Sequence, residues 1–237
     1  MLGGMVRVKI CGITNEDDIE LCVEEGADAL GFVIEYPKEV PWNLSIERAT
    51  ELMRCVPPFV ATVAVVGGNV KTILKICKET CPDVVQLHLD ENERTVSTVA
   101  EKLSTRGTSV IKALRVPASK ELFDDKASNS FKSWEATAKR FLDAGANKIL
   151  IDSKTHNRPA GTGETFDWKI ARHVSEKVGP VILAGGLTPK NIFYAISEVR
   201  PYAVDVISSL EDKWHRKVRK RVRSFMSIVR SADDSTV

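Results

Sequence analysis

The chain is poor in the features that mark disordered, membrane-spanning or secreted proteins. It has only 14 Gly and 10 Pro among 237 residues, and 43% of it is hydrophobic, which excludes a collagen-like or low-complexity chain. The longest nearly apolar run, residues 59–66, is far shorter than the ~20 residues needed to cross a bilayer. No basic region followed by an apolar stretch opens the sequence, so we expect no signal peptide and no membrane partner.

Cysteine is scarce as well. The five cysteines form an odd set without a repeated spacing, which predicts reduced thiols and a cytoplasmic location rather than a disulfide framework. Cys77 and Cys81 have the spacing of one helix face, but no second pair accompanies them. The sequence therefore predicts no metal site.

Positive charge is concentrated near the carboxyl terminus. Residues 213–223 carry seven Lys or Arg and no acid, whereas the rest of the chain has 27 basic against 32 acidic side chains. Apolar residues recur through this stretch at helical spacing, which predicts an amphipathic helix over 213–229 with a basic outer face. Aromatic residues are not interleaved with the basic ones, so we expect a solvated helix and no nucleic-acid partner. The apolar positions are Trp214, Val218, Val222, Phe225 and Val229.

Short apolar runs rich in Val and Ile alternate with amphipathic segments along the whole chain. Continuous apolar runs are typical of parallel strands that are covered on both faces. The predicted strands are 6–10, 27–34, 59–66, 83–87, 109–114, 148–151, 180–183 and 202–206. The predicted helices are 15–25 with Asn15 as its N-cap, one that starts at Ser45, and 70–79, 93–103, 133–144, 167–177, 189–197 and 213–229.

Eight strand–helix units predict an α/β fold, a closed (β/α)8 TIM barrel that forms a single domain over residues 1–237. The main competitor is an open doubly wound sheet, which would carry a glycine-rich dinucleotide turn after the first strand. Residues 11–14, Cys-Gly-Ile-Thr, do not form one. The polar stretch 117–133 is predicted to be a long loop or insertion within one unit.

Barrel enzymes place their sites on the loops that leave the carboxyl ends of the strands. The loops after strands seven and eight often bind phosphate through backbone N–H groups. Gly185 and Gly186 let the backbone approach an anion closely, and Ser208 and Ser209 add hydroxyl donors. The sequence therefore predicts a phosphorylated small-molecule substrate.

Two ionisable residues also follow predicted strands. Cys11 ends the first strand just before a helix, where the helix dipole favours the thiolate. Asp152 ends the sixth strand, and a carboxylic acid at the edge of an apolar core can acquire the raised pKa of a general acid. A buried structural cysteine and a capping aspartate are the alternatives at these positions.

Several segments resemble, in order, those of phosphoribosylanthranilate isomerases. They are 8–15 (Val-Lys-Ile-Cys-Gly-Ile-Thr-Asn), 26–32, 57–60, 85–88, 150–153, 161–168, 183–187 and 204–206. The resemblance implies an enzyme of tryptophan biosynthesis that needs no cofactor. Its reaction converts N-(5-phosphoribosyl)anthranilate to 1-(2-carboxyphenylamino)-1-deoxyribulose 5-phosphate by an Amadori rearrangement.

The resemblance also implies roles for individual residues. Asp152 corresponds to the family's general acid and Cys11 to its general base. Gln86, His88 and Asp205 correspond to residues that bind the substrate.

The chain departs from the family in two loops. The loop after strand two lacks the family's arginine, so Lys38 is predicted to hold the anthranilate end in its place. Trp42 either stacks on the aromatic ring or packs as a buried residue ahead of Ser45. After strand eight, Ser208 and Lys217 keep their places while the family's glycines and aspartate are replaced.

Two alternatives to this isomerase stay open at the level of sequence. One is a related sugar-phosphate isomerase with a different substrate. The other is a non-catalytic barrel that binds a phosphorylated ligand, or a partner through the basic last helix. The presence of both Cys11 and Asp152 favours the isomerase, because a pure binding protein needs neither. A monomer and a homodimer are equally compatible with the sequence.

Overall fold

A computed structural model of the chain describes residues 5–117, 127–154 and 166–234. Nine parallel strands lie within these ranges, and eight of them form the barrel. In chain order the strands are β1 (Arg7–Cys11), β2 (Ala29–Ile34), β3 (Asn43–Leu44), β4 (Ala61–Val66), β5 (Val84–Leu87), β6 (Ser109–Pro117), β7 (Lys148–Lys154), β8 (Ile182–Leu183) and β9 (Ala203–Val206).

The helices alternate with these strands along the chain. They are α1 (Glu16–Glu24), α2 (Ile46–Arg54), α3 (Val70–Thr80), α4 (Glu93–Ser104), α5 (Ala127–Asp143), α6 (Trp168–Val178), α7 (Ile192–Val199) and α8 (Arg219–Asp234). The predicted N-cap is confirmed: the Asn15 side chain accepts a hydrogen bond from the backbone N–H of Asp18. Ser45 caps α2 in the same way, through the N–H of Arg48.

The sheet closes on itself because β1 pairs with both β2 and β9. Around the ring the order is β1, β2, β4, β5, β6, β7, β8, β9, and every pairing is parallel. The two-residue strand β3 pairs only with the end of β2 and lies outside the ring. The predicted (β/α)8 barrel is therefore confirmed, with β4 to β9 as its third to eighth strands.

Apolar side chains are divided between the two faces of the barrel wall. Alternate residues of a strand point to opposite faces. On β1, Val8 and Ile10 join the large cluster between the strands and the helices, whereas Cys11 belongs to a smaller cluster inside the barrel. Lys9 shares the inward face with Cys11, and Ile10, which lies between them, faces the helices.

The chain differs from the predicted elements around residues 117–133. Pro117 ends strand β6, and α5 begins at Ala127, within the predicted loop. The predicted loop therefore overlaps both elements, and the residues between them, 118–126, lie outside the described residues.

The predicted helix over 213–229 is wrong in its first part. The helix begins at Arg219, and an antiparallel bridge joins Glu211 to Lys217 in the segment before it. Helical periodicity fails here because Lys217 is buried by long-range contacts, while Trp214, predicted to be buried, is exposed. Val222, Phe225 and Val229 do form the buried face of α8.

The basic outer face of α8 lies against acidic residues of α1. Arg219 and Arg223 both donate to the Glu25 carboxylate, and Arg219 also contacts Glu24. Two of the arginines on this face are therefore paired with acidic residues of the same protein. No helix in the described ranges is long and apolar enough to cross a membrane.

Candidate active site

A cavity of about 290 Å³ opens at the carboxyl ends of the barrel strands. Nine of the ten residues predicted for the site line it. They are Cys11, Gln86, His88, Asp152, Gly185, Gly186, Asp205, Ser208 and Ser209. The tenth, Lys38, is exposed on the loop after β2 and does not line the cavity, so the structure gives no support to its predicted contact with the substrate.

Cys11 is the last residue of β1 and its side chain is almost fully buried at the floor of the cavity. Burial raises the pKa of its thiol; the Lys9 ammonium opposes this effect, and Asp205 adds to it. The prediction that the position lowers the thiol pKa is therefore wrong. The reason is that α1 begins only at Glu16, and desolvation outweighs every favourable charge around the sulfur.

A buried ion pair lies beneath Cys11. Lys9 Nζ is 2.8 Å from Asp205 Oδ2, and Asp205 is the residue of β9 that pairs with Lys9 in the sheet register. Both side chains point into the barrel. Asp205 Oδ1 is a buried acceptor without a hydrogen-bond partner in the part of the chain that the structure describes.

Asp152 lies near the end of β7 and is held by two donors. Its Oδ1 accepts from the backbone N–H of Ser153 at 2.8 Å, and its Oδ2 lies 3.1 Å from His88 Nε2. His88 Nδ1 lies in turn 3.0 Å from Gln86 Nε2. Because the Gln86 amide nitrogen can only donate, this arrangement leaves the ring proton on Nε2, directed at Asp152.

The polar end of the cavity is built by the loops after β8 and β9. Gly185 and Gly186 both have positive φ, at 86° and 64°, a conformation that favours glycine. A Cβ on Gly185 would lie 2.5 Å from the Ser153 nitrogen and 2.9 Å from Asp152 Oδ1, so only glycine fits. The Ser209 hydroxyl donates to the Leu187 carbonyl at 2.7 Å and ties the two loops together.

Another part of the cavity wall is apolar and aromatic. It is lined by Val33, Tyr36, Val40, Trp42 and Val65. The Trp42 indole N–H donates to the Glu211 carboxylate at 2.9 Å, and the Tyr36 hydroxyl donates to the His88 carbonyl at 3.0 Å. Trp42 is buried, as one of the two alternatives predicts, and it also lines the cavity, so its stacking on an aromatic ring stays a prediction.

A second buried lysine secures this wall. Lys217 Nζ donates to the Cys11 carbonyl at 2.6 Å and to Glu211 Oε1 at 2.5 Å. Lys217 stands out in the sequence as a residue that keeps its place after strand eight, but its burial with Glu211 could not be predicted there. Lys9 was missed altogether, although a lysine within a strand covered on both faces is a signal that would have found it.

The comparisons with known proteins agree with this geometry. Residues 8–227 match the family model of N-(5'-phosphoribosyl)anthranilate (PRA) isomerase. The chain belongs to this family. The PRA isomerase of Geobacter metallireducens is 39% identical over 223 residues, which cover 94% of this chain and 98% of the relative. That of Methanocaldococcus jannaschii is 33% identical over 232 residues, with 95% and 97% covered.

Solved PRA isomerases share the fold. The Thermotoga maritima structure has a TM-score of 0.76 and 33% identity, covering 96% of this chain and all of that one. A PRA isomerase in complex with reduced 1-(o-carboxyphenylamino)-1-deoxyribulose 5-phosphate has a TM-score of 0.73 and 32% identity, with the same coverage. Another structure describes monomers generated from the dimeric Thermotoga maritima enzyme.

Proposed function

We propose that this PRA isomerase converts N-(5-phosphoribosyl)anthranilate to 1-(2-carboxyphenylamino)-1-deoxyribulose 5-phosphate in tryptophan biosynthesis. The observation that carries the proposal is that Cys11 and Asp152 line one cavity whose wall has both a polar part and an aromatic part. A substrate with a phosphate at one end and an aromatic ring at the other fits such a cavity. The sugar then lies between the thiol and the carboxyl.

The reaction begins when Asp152 gives a proton to the ring oxygen of the ribose. The C1–O bond breaks, and the nitrogen lone pair forms a C1=N iminium. The His88 N–H, directed at Asp152 Oδ2, fixes the orientation of the carboxyl group. It also stabilises the carboxylate that remains after the proton has been transferred. Gln86 fixes the ring of His88 in turn.

The iminium makes the hydrogen on C2 acidic, so that a modest base removes it. Cys11 as thiolate takes this proton, the C–H electron pair forms C1=C2, and the C1=N pair returns to nitrogen. The resulting enol then becomes the ketone of the product. Each such proton transfer by a well-placed group contributes about 10²–10⁴-fold to the rate. No step calls for a cofactor.

The ends of the cavity position the substrate. Backbone N–H groups of the loop at Gly185–Gly186, with Ser208, are assigned to the phosphate. The Ser209 hydroxyl serves to join the loops, because it is already donated to Leu187. Asp205 Oδ1 and Gln86 Oε1, buried acceptors without a partner among the described residues, are assigned to the sugar hydroxyls.

Turnover of phosphoribosylanthranilate, followed by the loss of its fluorescence, tests the proposal. We expect Asp152→Asn and Cys11→Ala each to lower kcat by about 10²-fold or more. Wild-type turnover in either variant would refute the assigned roles. Turnover of non-aromatic aminoaldose phosphates in preference to phosphoribosylanthranilate would favour a different sugar-phosphate isomerase, and tight binding without turnover a non-catalytic barrel.

A further inference from the structure

Lys9 is an unusual residue for the inside of a barrel, where branched apolar side chains normally fill the layers. Its side chain is only 5% exposed, and its one carboxylate partner among the described residues is Asp205. A buried ion pair is weak evidence for stability, because the loss of hydration opposes the attraction between the charges. The contacts of the ammonium therefore indicate a different role.

The ammonium of Lys9 lies beside the sulfur of Cys11. The two residues are two positions apart on β1, so both side chains point into the barrel. Gly31, which pairs with Cys11 in the sheet register, leaves room for both groups. A Cβ on Gly31 would lie 2.5 Å from Cys11 Sγ and 2.9 Å from Lys9 Nζ, so the sulfur and the ammonium both lie against this glycine, on the same side of the barrel wall.

The other charges around the sulfur are few. Asp205 faces it from β9, beyond Lys9. Lys217 approaches from the loop before α8, with its ammonium on the Cys11 carbonyl and its charge paired with Glu211. Asp152 and His88 line the same cavity from β7 and the end of β5 and contact each other. Of the two cations, Lys9 is the one that shares the space over Gly31 with the sulfur, and it opposes the rise in the thiol pKa caused by burial more than Lys217 does.

We propose that Lys9 is a positioning residue for the isomerisation, one that holds the Cys11 sulfur towards the cavity and stabilises its thiolate. The inference rests on the proposed role of Cys11 as the general base. When the thiolate takes the C2 proton, it becomes a neutral thiol, and the ammonium retains its own proton and its bond to Asp205. Asp205 keeps the Lys9 ammonium in place, but its negative charge also disfavours a thiolate at Cys11.

Lys9 does not serve as the base itself. Burial opposes its charged form, but Asp205 and Cys11 outweigh burial and raise the pKa of Lys9 above its ordinary value. The ammonium therefore keeps its proton at the pH of catalysis. The thiol, whose raised pKa leaves little thiolate, is the group that requires a cation beside it.

The rate at which iodoacetamide alkylates Cys11, measured against pH, tests the proposal without any turnover. A background with Cys55→Ser and Cys81→Ser removes the two exposed thiols. Cys22 and Cys77 are buried and do not line the cavity, whereas Cys11 does. Lys9→Met is expected to slow alkylation at pH 7 by about tenfold or more and to move its midpoint to higher pH. The rising limb of kcat/KM is expected to move in the same direction.

Asp205→Asn is the second variant, and its expected effect has the opposite sign. Removal of the competing carboxylate leaves the ammonium to the sulfur, so the midpoint of alkylation moves to lower pH, even if substrate binding weakens. Lys112→Met is the matched control. It removes another buried lysine, but Lys112 alternates with inward-facing Ile111 and Ala113 and so lies on the outer face of the wall; the midpoint should not move.

Two results would overturn the inference. One is an alkylation midpoint that is unchanged in both Lys9→Met and Asp205→Asn. The other is a midpoint that Lys112→Met moves as far as Lys9→Met does. Failure of the proposed function looks different: Cys11→Ala would then turn over substrate like the wild type, while the midpoints of the Lys9 and Asp205 variants still move as expected.

Discussion

Two buried lysines on opposite faces of the barrel wall make similar ion pairs with different surroundings. Lys9 points into the barrel, pairs with Asp205 and lies beside the sulfur of Cys11, over Gly31. Lys112 points towards the helices, pairs with Glu91 at 2.7 Å, and donates to the carbonyls of Leu87 and Leu89.

The neighbours of each lysine indicate what its charge does. Within the described ranges, the hydrogen bonds of the Lys112 ammonium go to the backbone and the carboxylate of residues 87–91, so it holds the loop that follows β5. Burial lowers its pKa in spite of Glu91. The Lys9 ammonium instead faces the Cys11 thiol as well as Asp205, and these two groups outweigh burial and raise the pKa of Lys9. One pair stabilises a loop, and the other sets the charge state of a site residue.

The largest expected effect is on stability, at the outer pair. Lys112→Met leaves the Glu91 carboxylate buried with only the N–H groups of Gly68 and Leu89 as donors. We expect the free energy of unfolding in urea to fall by about 3–5 kcal/mol. The double variant Lys112→Met/Glu91→Gln should recover part of this loss. A loss below about 1 kcal/mol in the single variant would contradict the structural role.

The next effect concerns activity, at the inner pair. Gly31→Ala places a methyl group against Cys11 Sγ and Lys9 Nζ and should lower kcat/KM by about 10²-fold, because the sulfur is displaced from the sugar. Gly67→Ala is the matched control, since its Cβ would meet the Leu89 side chain at 2.4 Å. Alkylation of Cys11 should change in the first variant alone. If Gly31→Ala and Gly67→Ala changed the rate of Cys11 alkylation equally, the Lys9–Asp205 pair would have no specific effect on the sulfur.

A smaller effect is expected at Trp42, which the third buried pair, Lys217–Glu211, holds in the cavity wall. Trp42→Leu should raise KM for phosphoribosylanthranilate about threefold to tenfold and change kcat little, because an aromatic contact is lost. Trp42→Phe keeps a ring and lacks the same N–H, so it should stay nearer the wild type. A fall in kcat with unchanged KM would contradict this role and indicate that Trp42 acts in the chemical step instead of in substrate binding.

The smallest effect belongs to the exposed ion pairs between α1 and α8. Arg223→Gln should leave the urea midpoint at pH 7 almost unchanged, because an exposed pair is screened by solvent. Arg223 and Arg219 hold the pKa of Glu25 below its ordinary 4.5. Such a pair contributes above the unfolded pKa and loses its contribution as pH falls through the folded one. Any difference between variant and wild type should therefore vanish in acid. If Arg223→Gln lowered the free energy of unfolding as much as Lys112→Met does, the contrast between exposed and buried ion pairs would be wrong.

Much of the site follows from strand periodicity and barrel topology. Cys11, Gln86 and Asp152 end or nearly end strands whose apolar runs are visible in the sequence, and the fold then directs them to one cavity. Gly185 follows in the same way from a strand end and a glycine pair. The barrel was predicted for the same reason, because each of its eight strands is a short apolar run between helices.

The remainder depends on contacts between distant residues. Lys217 bonds to the carbonyl of Cys11, 206 positions away, and this contact keeps the segment before Arg219 out of the helix that its periodicity predicts. Lys38 and Trp42 lie on one loop, and whether a loop side chain points into the cavity depends on what packs on it. Here Glu211 fixes Trp42 inward, and Lys38 is left in solvent.

A crystal structure with the reduced product analogue bound tests the central claim most directly. Cys11 Sγ should then lie within about 3.5 Å of C2 of the sugar, with the Asp152 carboxyl group on the other side of the sugar. The phosphate should contact the loop at Gly185–Gly186. An analogue bound with its phosphate at Trp42, or a sulfur turned away from the sugar, would contradict the account.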